Sequence, residues 1–577
     1  ILAAGAALYL AIDYEGIGAR AGLPNDRDLI IGLALIVLLI ESARRALGLA
    51  LPVIATLFIL YSFFSESMPE IIAFQNASLS KVVAKLVMGG EGIFGVPLDV
   101  SASTVFLFVL FGTMLEKAGG GKYFIDLAFS ILGPYRGGPA KAAVLASGLT
   151  GMVSGSSIAN TVTTGTFTIP LMKKAGFPGY KAAAVEVAAS TNGQLMPPIM
   201  GAAAFIIAEY CNLDYFDVVK AAVVPALASY VALIYITHLE SLKLNIPPTP
   251  RSELPKFWPT LVGGLHYLVP LGFLIYQLVI EQRSASLSAF YATVALMVLM
   301  ILMDLKSAFD KKRSWAGAIK KWFCDVGESL VSGGRNMMTI GVAVAAAGII
   351  VGIVTLGLGG VITDLIEVVS GGNLIFMLII TAIVSLLLGM GLPTTANYIV
   401  MASLTAPTIV ALSTDMGLEV PLIAAHLFCF YFGILADDTP PVGLAAYAAG
   451  AIAKEDPIKV GVQGFRYDMR TAILPFMFIF NTDLLLVGVD SWSEAIWIFL
   501  TTIAAMFAFA SMTQRWLIKK CSWIETFGLL ASSLILFRPS LFVQLIEMSR
   551  DQWRGVGLVL FALIYLQQHF RVKANPA

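Results

Sequence analysis

Charge is what this sequence has least of. Of its 577 residues, 37 are Lys or Arg and 37 are Asp or Glu, 13% in all, about half the share of an ordinary soluble domain. The two signs cancel, so there is no basic surplus to attract a nucleic acid. The four cysteines (Cys211, Cys324, Cys429, Cys521) are scattered and the histidines number four, which excludes a disulfide framework and a zinc-type ligand set. What fills the chain instead is apolar: 58% of residues are hydrophobic. That balance predicts an all-α polytopic membrane protein. The chain opens on Ile1 inside an apolar run, as expected where the natural start lies upstream.

Polar residues, being scarce, stand out where they cluster. Gly151 to Gly165 contains Ser154-Gly155-Ser156-Ser157, Asn160-Thr161 and Thr163-Thr164 between apolar flanks. Broken backbone at that depth is tolerated only where protein buries it or a watery cavity receives it. The stretch therefore predicts a re-entrant hairpin, the alternative being a small-residue helix packing face. A second copy favours the hairpin. Gly389, Gly391, Pro393-Thr394-Thr395-Ala396-Asn397 repeats the pattern, and an offset of 237 sets Asn160 on Asn397, Ser157 on Thr394 and Pro170 on Pro407. Downstream, Asn192-Gly193-Gln194 with Pro197-Pro198 is echoed by Asp437-Asp438-Thr439-Pro440-Pro441 at an offset of 243. Interrupted apolar segments at matching places in two halves point to a secondary transporter's binding site.

The rest of the chain arranges itself around these halves. Residues 1–100 read as N-terminal accessory helices, with apolar runs at 1–12, 29–40 and 47–64 and a less apolar stretch at 70–95 that fits the membrane surface. Residues 101–245 form the first repeat, with its hairpin at 141–172, a broken helix at 180–210 and a long span at 218–236. Residues 246–324 supply connecting helices and a basic amphipathic segment at 306–321. Residues 325–478 form the second repeat, with a hairpin at 373–412 and a broken helix at 420–453. Residues 479–577 add membrane helices that show no internal polar site. Lys and Arg (Arg136, Lys141, Lys173, Lys174, Lys181) flank the first hairpin, whereas Asp364, Glu367, Asp415 and Glu419 flank the second. Positive-inside bias then inserts the two repeats in opposite directions.

Gly155-Ser156-Ser157-Ile158-Ala159-Asn160, Gly193-Gln194-Leu195-Met196-Pro197-Pro198 and Asp437-Asp438-Thr439-Pro440-Pro441 resemble the membrane subunit of TRAP transporters, the tripartite ATP-independent periplasmic transporters, over about residues 100–478. The flanking helices resemble the fused type that joins small and large membrane subunits, as in the TAXI branch, with residues 1–100 as the small-subunit-like part. The resemblance implies an inverted-repeat, elevator-type transporter with two re-entrant helical hairpins in the bacterial inner membrane. It also implies a periplasmic substrate-binding protein that delivers an organic anion, with Na+ as the coupling ion and no organic cofactor.

On that reading, each tip offers helix N-termini to a carboxylate and freed carbonyls with Ser, Thr and Asn oxygens to Na+. One sodium site is expected at Ser154, Ser157, Asn160 and the backbone at Gly193, the other at Gly391, Thr394, Asn397 and the backbone near Ala436. The plainer alternative is that the asparagines only cap the broken helices. Ser156, Ser157, Asn192, Gln194, Thr394, Thr395, Asp437 and Asp438 are the expected substrate contacts. No arginine lies in these motifs, so Na+ would supply the positive charge. Asp437 and Asp438 are functional by default as intramembrane charges, for a cation, a substrate hydroxyl or a proton, unless they satisfy N–H groups at the Pro-Pro break. Glu186 reads as a buried structural polar group or an intersubunit contact.

Two other classes compete. A binding-protein-independent, sodium- or proton-coupled carboxylate carrier would share the inverted hairpins. An intramembrane aspartyl protease would need two facing aspartates, whereas neighbours on a helix point about 100° apart. The sequence therefore predicts a transporter and not an enzyme.

Overall fold

Glycine and proline break an otherwise helical chain at every point that matters here. The computed structural model describes residues 2–20, 22–312, 314–441, 443–543 and 546–574, so Ile1 lies outside it. The chain is 81% helical, with no strand among the described residues. Eight of the described helices are long and apolar enough to cross a membrane.

The chain forms two compact units. One comprises Ile1–Lys117, Ala202–Tyr215 and Pro270–Asp437; the other comprises Ala118–Gly201, Phe216–Val269 and Asp438–Ala577. The second unit holds the first hairpin. Its leading helix, Gly138–Ser154, has a proline in the first turn, where the missing N–H costs nothing. It stops at Gly155, whose left-handed φ of 64° lets its N–H return to Gly151 O at 3.1 Å. Ser156 then caps the returning helix, Ser157–Lys174. The polar stretch is thus the tip, as the composition predicts. The first stem, Gly179–Gly193, follows; it is rich in alanine and buried from Ala182 onward. It ends before Pro197-Pro198, a cis peptide.

The other unit holds the second hairpin. Asn373 caps its leading helix, Leu374–Leu388, and the returning helix, Thr394–Asp415, starts after Gly391 (φ 86°) and Pro393. The second stem, Leu422–Leu435, precedes the second cis Pro-Pro bond, at Pro440-Pro441.

The chain changes unit at both breaks, between Gly201 and Ala202 and between Asp437 and Asp438. The continuation of the first stem, Ala202–Tyr210, therefore packs on the second returning helix and the second stem. The continuation of the second stem, Leu444–Ala453, packs on the first returning helix and the first stem. Each hairpin is completed by the other repeat's half-helix.

Several expectations change. The basic segment at 306–321 spans the end of one helix and the start of the next. Helix Ala285–Asp310 ends within it, and a 39-residue helix, Trp315–Ile353, runs from it into the second repeat; nothing in residues 322–340 stops a helix. At 1.5 Å per residue it is about 58 Å long. In the stretch 70–95, Val83 and Leu86 are fully buried, against Gly32 and Gly352 respectively, so its apolar side packs on protein. The tail does contain an internal polar cluster. Buried Gln568 accepts from the N–H groups of Ile518 and Lys519, each at 3.1 Å, and donates to Glu525 at 3.1 Å, while Arg571 pairs with Glu525 at 3.2 Å. Glu525 also serves the Ser522 capping box, which hides it among ordinary helix starts.

Two packing features fix the first stem. A Cβ on Gly193 would lie 2.7 Å from Gly151 Cα, so the stem and leading helix touch backbone to backbone, as small residues permit in membranes. Asn192 anchors the other side: Nδ2 donates to Ala188 O (2.7 Å) and Asp468 Oδ1 (2.9 Å), and Oδ1 accepts from Ser229 (3.0 Å) and Thr471 (2.9 Å). Asp468 also pairs with Arg470 at 2.5 Å, both side chains fully buried. The span read at 218–236 runs as Tyr215–Lys243 and is bonded to the stem through Ser229 and through Tyr230, which donates to Ala189 O at 2.6 Å.

Gly193→Ala should destabilise by about 1–3 kcal/mol through overpacking, whereas Gly360→Ala, which meets nothing within 4 Å, should be neutral or stabilising; melting of the purified protein in detergent compares them. In the same assay Asp468→Ala, which strands a buried guanidinium, should cost about 3–5 kcal/mol, and Asp468→Leu with Arg470→Met should recover part of it.

Candidate functional site

Below each tip, an asparagine one turn into the returning helix reaches back to the leading helix. Asn160 Nδ2 donates to Ser147 O at 2.9 Å; Asn397 Nδ2 donates to Ser385 O at 3.1 Å. The close approach is repeated as well. Gly151 faces Gly193 and the Asn160 amide, and Gly389 faces Ala436 and the Asn397 amide. The repeat seen in the sequence is therefore a repeat of contacts. It adds Ser147 and Ser385, which the motif reading missed; they stand 238 residues apart, one more than the offset that aligns the asparagines, so the ungapped alignment sets Ser147 on Val384 and passes them by.

The two pockets differ in how their oxygens are used. Around Asn160, Oδ1 accepts from Thr150 at 2.7 Å, and Nδ2 also reaches Ser147 Oγ at 2.8 Å and Ser190 Oγ at 3.2 Å. Ser147 and Ser190 bond to each other at 3.0 Å. The first pocket is thus closed by its own hydrogen bonds. Around Asn397, the side-chain oxygens of Asn397, Ser385 and Thr381 are buried without hydrogen-bond partners. Thr381 and Ser385 are one turn apart on the leading helix, so they share a face. Buried polar atoms are almost always satisfied, and orphaned acceptors of this kind are what a hard cation takes as ligands. The residues of the second pocket fit Na+.

The remaining expected residues are placed as follows. Ser154 is exposed, with its hydroxyl 3.5 Å from Gly151 O and 3.4 Å from Ser156 O. Ser156 is half-buried and accepts from Ala159 N at 3.4 Å, as a cap does. Ser157 is buried directly behind it. Gly193 lies at the stem's end beside Gly151, and Gln194 is buried, its carbonyl receiving Gly201 N at 2.8 Å. Asn192 is committed to the network of Asp468, Ser229 and Thr471. In the other unit Gly391 packs toward Ala50 Cβ, Thr394 is half-buried at the helix start and Thr395 is buried. Ala436 lies beside Gly389, and Asp437, buried, ends that unit. Asp438 is fully buried in the other unit, its carboxylate beside Gly464 and its carbonyl beside Gly461 of helix Pro457–Phe480.

Residues 33–492 match the family described as the tripartite ATP-independent periplasmic transporter, DctM component. Residues 495–573 match a domain of unknown function, DUF3394. The chain is 22% identical to the 2,3-diketo-L-gulonate TRAP transporter large permease of Escherichia coli over 418 residues, 70% of this chain and 89% of that protein. It is 25% identical to a C4-dicarboxylate TRAP transporter large permease of Vibrio cholerae over 362 residues, 61% of this chain and 78% of that one. An isethionate TRAP transporter permease of Oleidesulfovibrio alaskensis is 25% identical over 46% of this chain and 43% of its own length. With the duplicated broken hairpins and eight membrane-length helices among the described residues, the match over residues 33–492 settles the matter: the chain belongs to the DctM component family of tripartite ATP-independent periplasmic transporters, multi-pass transport proteins of the bacterial inner membrane and not enzymes.

Proposed function

We propose that this permease imports a small organic anion, a carboxylate, received from a periplasmic substrate-binding protein and driven by a Na+ gradient through an elevator movement. The observation that carries the reading is the pair of asparagine-pinned tips, the second of which keeps three oxygens unpartnered. Asn397, Ser385 and Thr381, with Gly391, Thr394 and the backbone near Ala436, would hold Na+ in the second half; Ser154, Ser157, Asn160 and Gly193 form the corresponding set in the first. When bound, Na+ supplies the positive charge that these arginine-free motifs lack.

The residues of the tips do the rest. Ser156, Ser157, Thr394 and Thr395 stand at the starts of the returning helices, where free N–H groups and the helix dipole favour a carboxylate. Gln194, Asp437 and Asp438 stand at the stem ends and would receive substrate hydroxyls. Asn192 acts by holding the first stem in place. Relatives named for 2,3-diketo-L-gulonate and C4-dicarboxylates support the anion class. The opposite charges at the open ends of the two hairpins support inverted insertion, and the N-terminal helices would take the small-subunit part, as in the fused TAXI type. Ion and substrate held by the same tips must tighten each other equally.

Uptake of labelled carboxylates into proteoliposomes, with and without the purified binding protein and an inward Na+ gradient, tests this. Uptake should need both. Asn397→Ala should raise the Na+ concentration for half-maximal uptake at least about tenfold, the equivalent of about 1.4 kcal/mol, with a smaller effect from Asn160→Ala, whose oxygen already has a donor. Uptake indifferent to Na+ would remove the sodium coupling, and uptake without the binding protein would favour the self-sufficient carrier.

A further inference from the structure

The first hairpin encloses a carboxyl group that the ion sites do not use. Glu186, two turns before the end of the first stem, is fully buried. Four hydroxyls surround it, those of Thr164, Thr168, Ser190 and Ser147. Thr164 contacts Oε1, Thr168 is 2.5 Å from Oε2, and Ser190 is 3.2 Å from Oε1. No cation pairs with it among the described residues. The helices packed on the stem are Gly138–Ser154, Ser157–Lys174, Leu444–Ala453, Pro457–Phe480 and Tyr215–Lys243. Their buried titratable groups are Tyr215, Tyr230, Glu240, Tyr467, Asp468 and Arg470, Glu240 being paired with Lys181 and Lys243. Tyr230 bonds to Ala189 O, and Arg470, the one cation of that set, is held by Asp468. The lysines are engaged elsewhere: Lys141 with His238 (3.2 Å), Lys173 with Ala453 O (2.8 Å), Lys181 with Glu240 (2.5 Å) and Lys459 over the Tyr180 ring.

An ionised carboxylate sealed in such a place, with no counter-charge, neutralises instead. A metal ion shared by the carboxyl and its hydroxyls would stand between them and hold them apart, whereas the hydroxyls touch the carboxyl directly. A proton fits. With the acid proton on Oε2, Glu186 donates to Thr168, and Thr168 gives its own proton to Thr164 O at 3.0 Å. Oε1 accepts from Thr164 and from Ser190. Ser190 is also bonded to Ser147 and to Asn160 Nδ2, so the acid and the asparagine pin share one hydroxyl. The second repeat has no such group. An offset of 243 places Cys429 at the position of Glu186, and there Thr405, the counterpart of Thr168, contacts the thiol at 3.3 Å.

We infer that Glu186 is a proton-binding site of the first hairpin, occupied when the hairpin is packed as seen here and coupled through Ser190 to the pin at Asn160, so that transport carries a proton-dependent step located in one repeat only. The inference rests on the chain's being a transporter and not on its being sodium-driven.

Infrared difference spectra of the full chain in lipid nanodiscs, recorded across a pH titration without Na+, substrate or binding protein, should show a protonated-carboxyl C=O band that Glu186→Gln removes. In proteoliposomes at fixed Na+, the initial uptake rate of the wild type should change severalfold with an imposed proton gradient, and that of Glu186→Gln should not. Thr168→Val, which keeps the acid and changes its bonding, should shift the pH midpoint of the band. An unchanged carboxyl band in Glu186→Gln, or a Glu186→Gln protein whose uptake keeps the wild-type response to the gradient, would overturn the inference. Should Glu186→Gln fail to fold, an unmoved midpoint in Thr168→Val would overturn it alone.

Discussion

A helix interrupted inside a bilayer leaves carbonyls and N–H groups that lipid cannot satisfy, and every one of them must find a partner in the protein. Much of this chain's polar sequence answers that demand. At the first tip Gly155 turns the backbone so that its own N–H closes the leading helix, and Ser156 opens the next one. Deeper in, the asparagine amide crosses from the returning helix to the leading helix and holds the two arms at a fixed separation. That separation leaves room for only a glycine or an alanine at the stem's end, which is why Gly151, Gly193, Gly389 and Ala436 stand where they do. The glycines follow from the asparagines, and the alanine-rich stem follows from both.

The two copies have diverged around this shared core in a consistent direction. The first has filled its pocket with hydroxyls: Thr150 occupies the asparagine oxygen, and Ser190 stands where the second copy has Gly433. The second has emptied its pocket, leaving Thr381, Ser385 and Asn397 with acceptors to spare. In one half the asparagine oxygen is satisfied and an acid stands nearby, while in the other the asparagine oxygen is left unpartnered and a thiol stands in the acid's place. A duplicated scaffold can thus hold two chemically distinct sites without any change in backbone plan.

The architecture was legible where local chemistry signals itself. Polar residues amid apolar flanks, two Pro-Pro breaks and a repeated Asn at constant offset are enough to find both hairpins and both broken stems. What stayed hidden depends on partners distant in sequence. Asn192 looks like an exposed amide at a helix end, and only the packing of helix Pro457–Phe480 shows that Asp468 and Thr471 consume it. Ser147, Thr150, Thr381 and Ser385 are ordinary small polar residues in membrane helices until the returning helix brings an asparagine against them. That helix Trp315–Ile353 runs unbroken from the basic segment into the second repeat is likewise visible only in the fold, because a change of composition does not by itself stop a helix.

The exchange of half-helices at the two breaks has a consequence for how such a chain could have arisen. Ala202–Tyr210 and Leu444–Ala453 each seal the opposite repeat's hairpin, so a single repeat would leave its own hairpin missing a wall and its own half-helix without a seat. An ancestral gene encoding one repeat could have made a sealed structure only from two copies lending each other that half-helix. Fusion of two such copies would turn a loan between molecules into a fixed covalent arrangement, and with the partner guaranteed, each copy would be free to specialise.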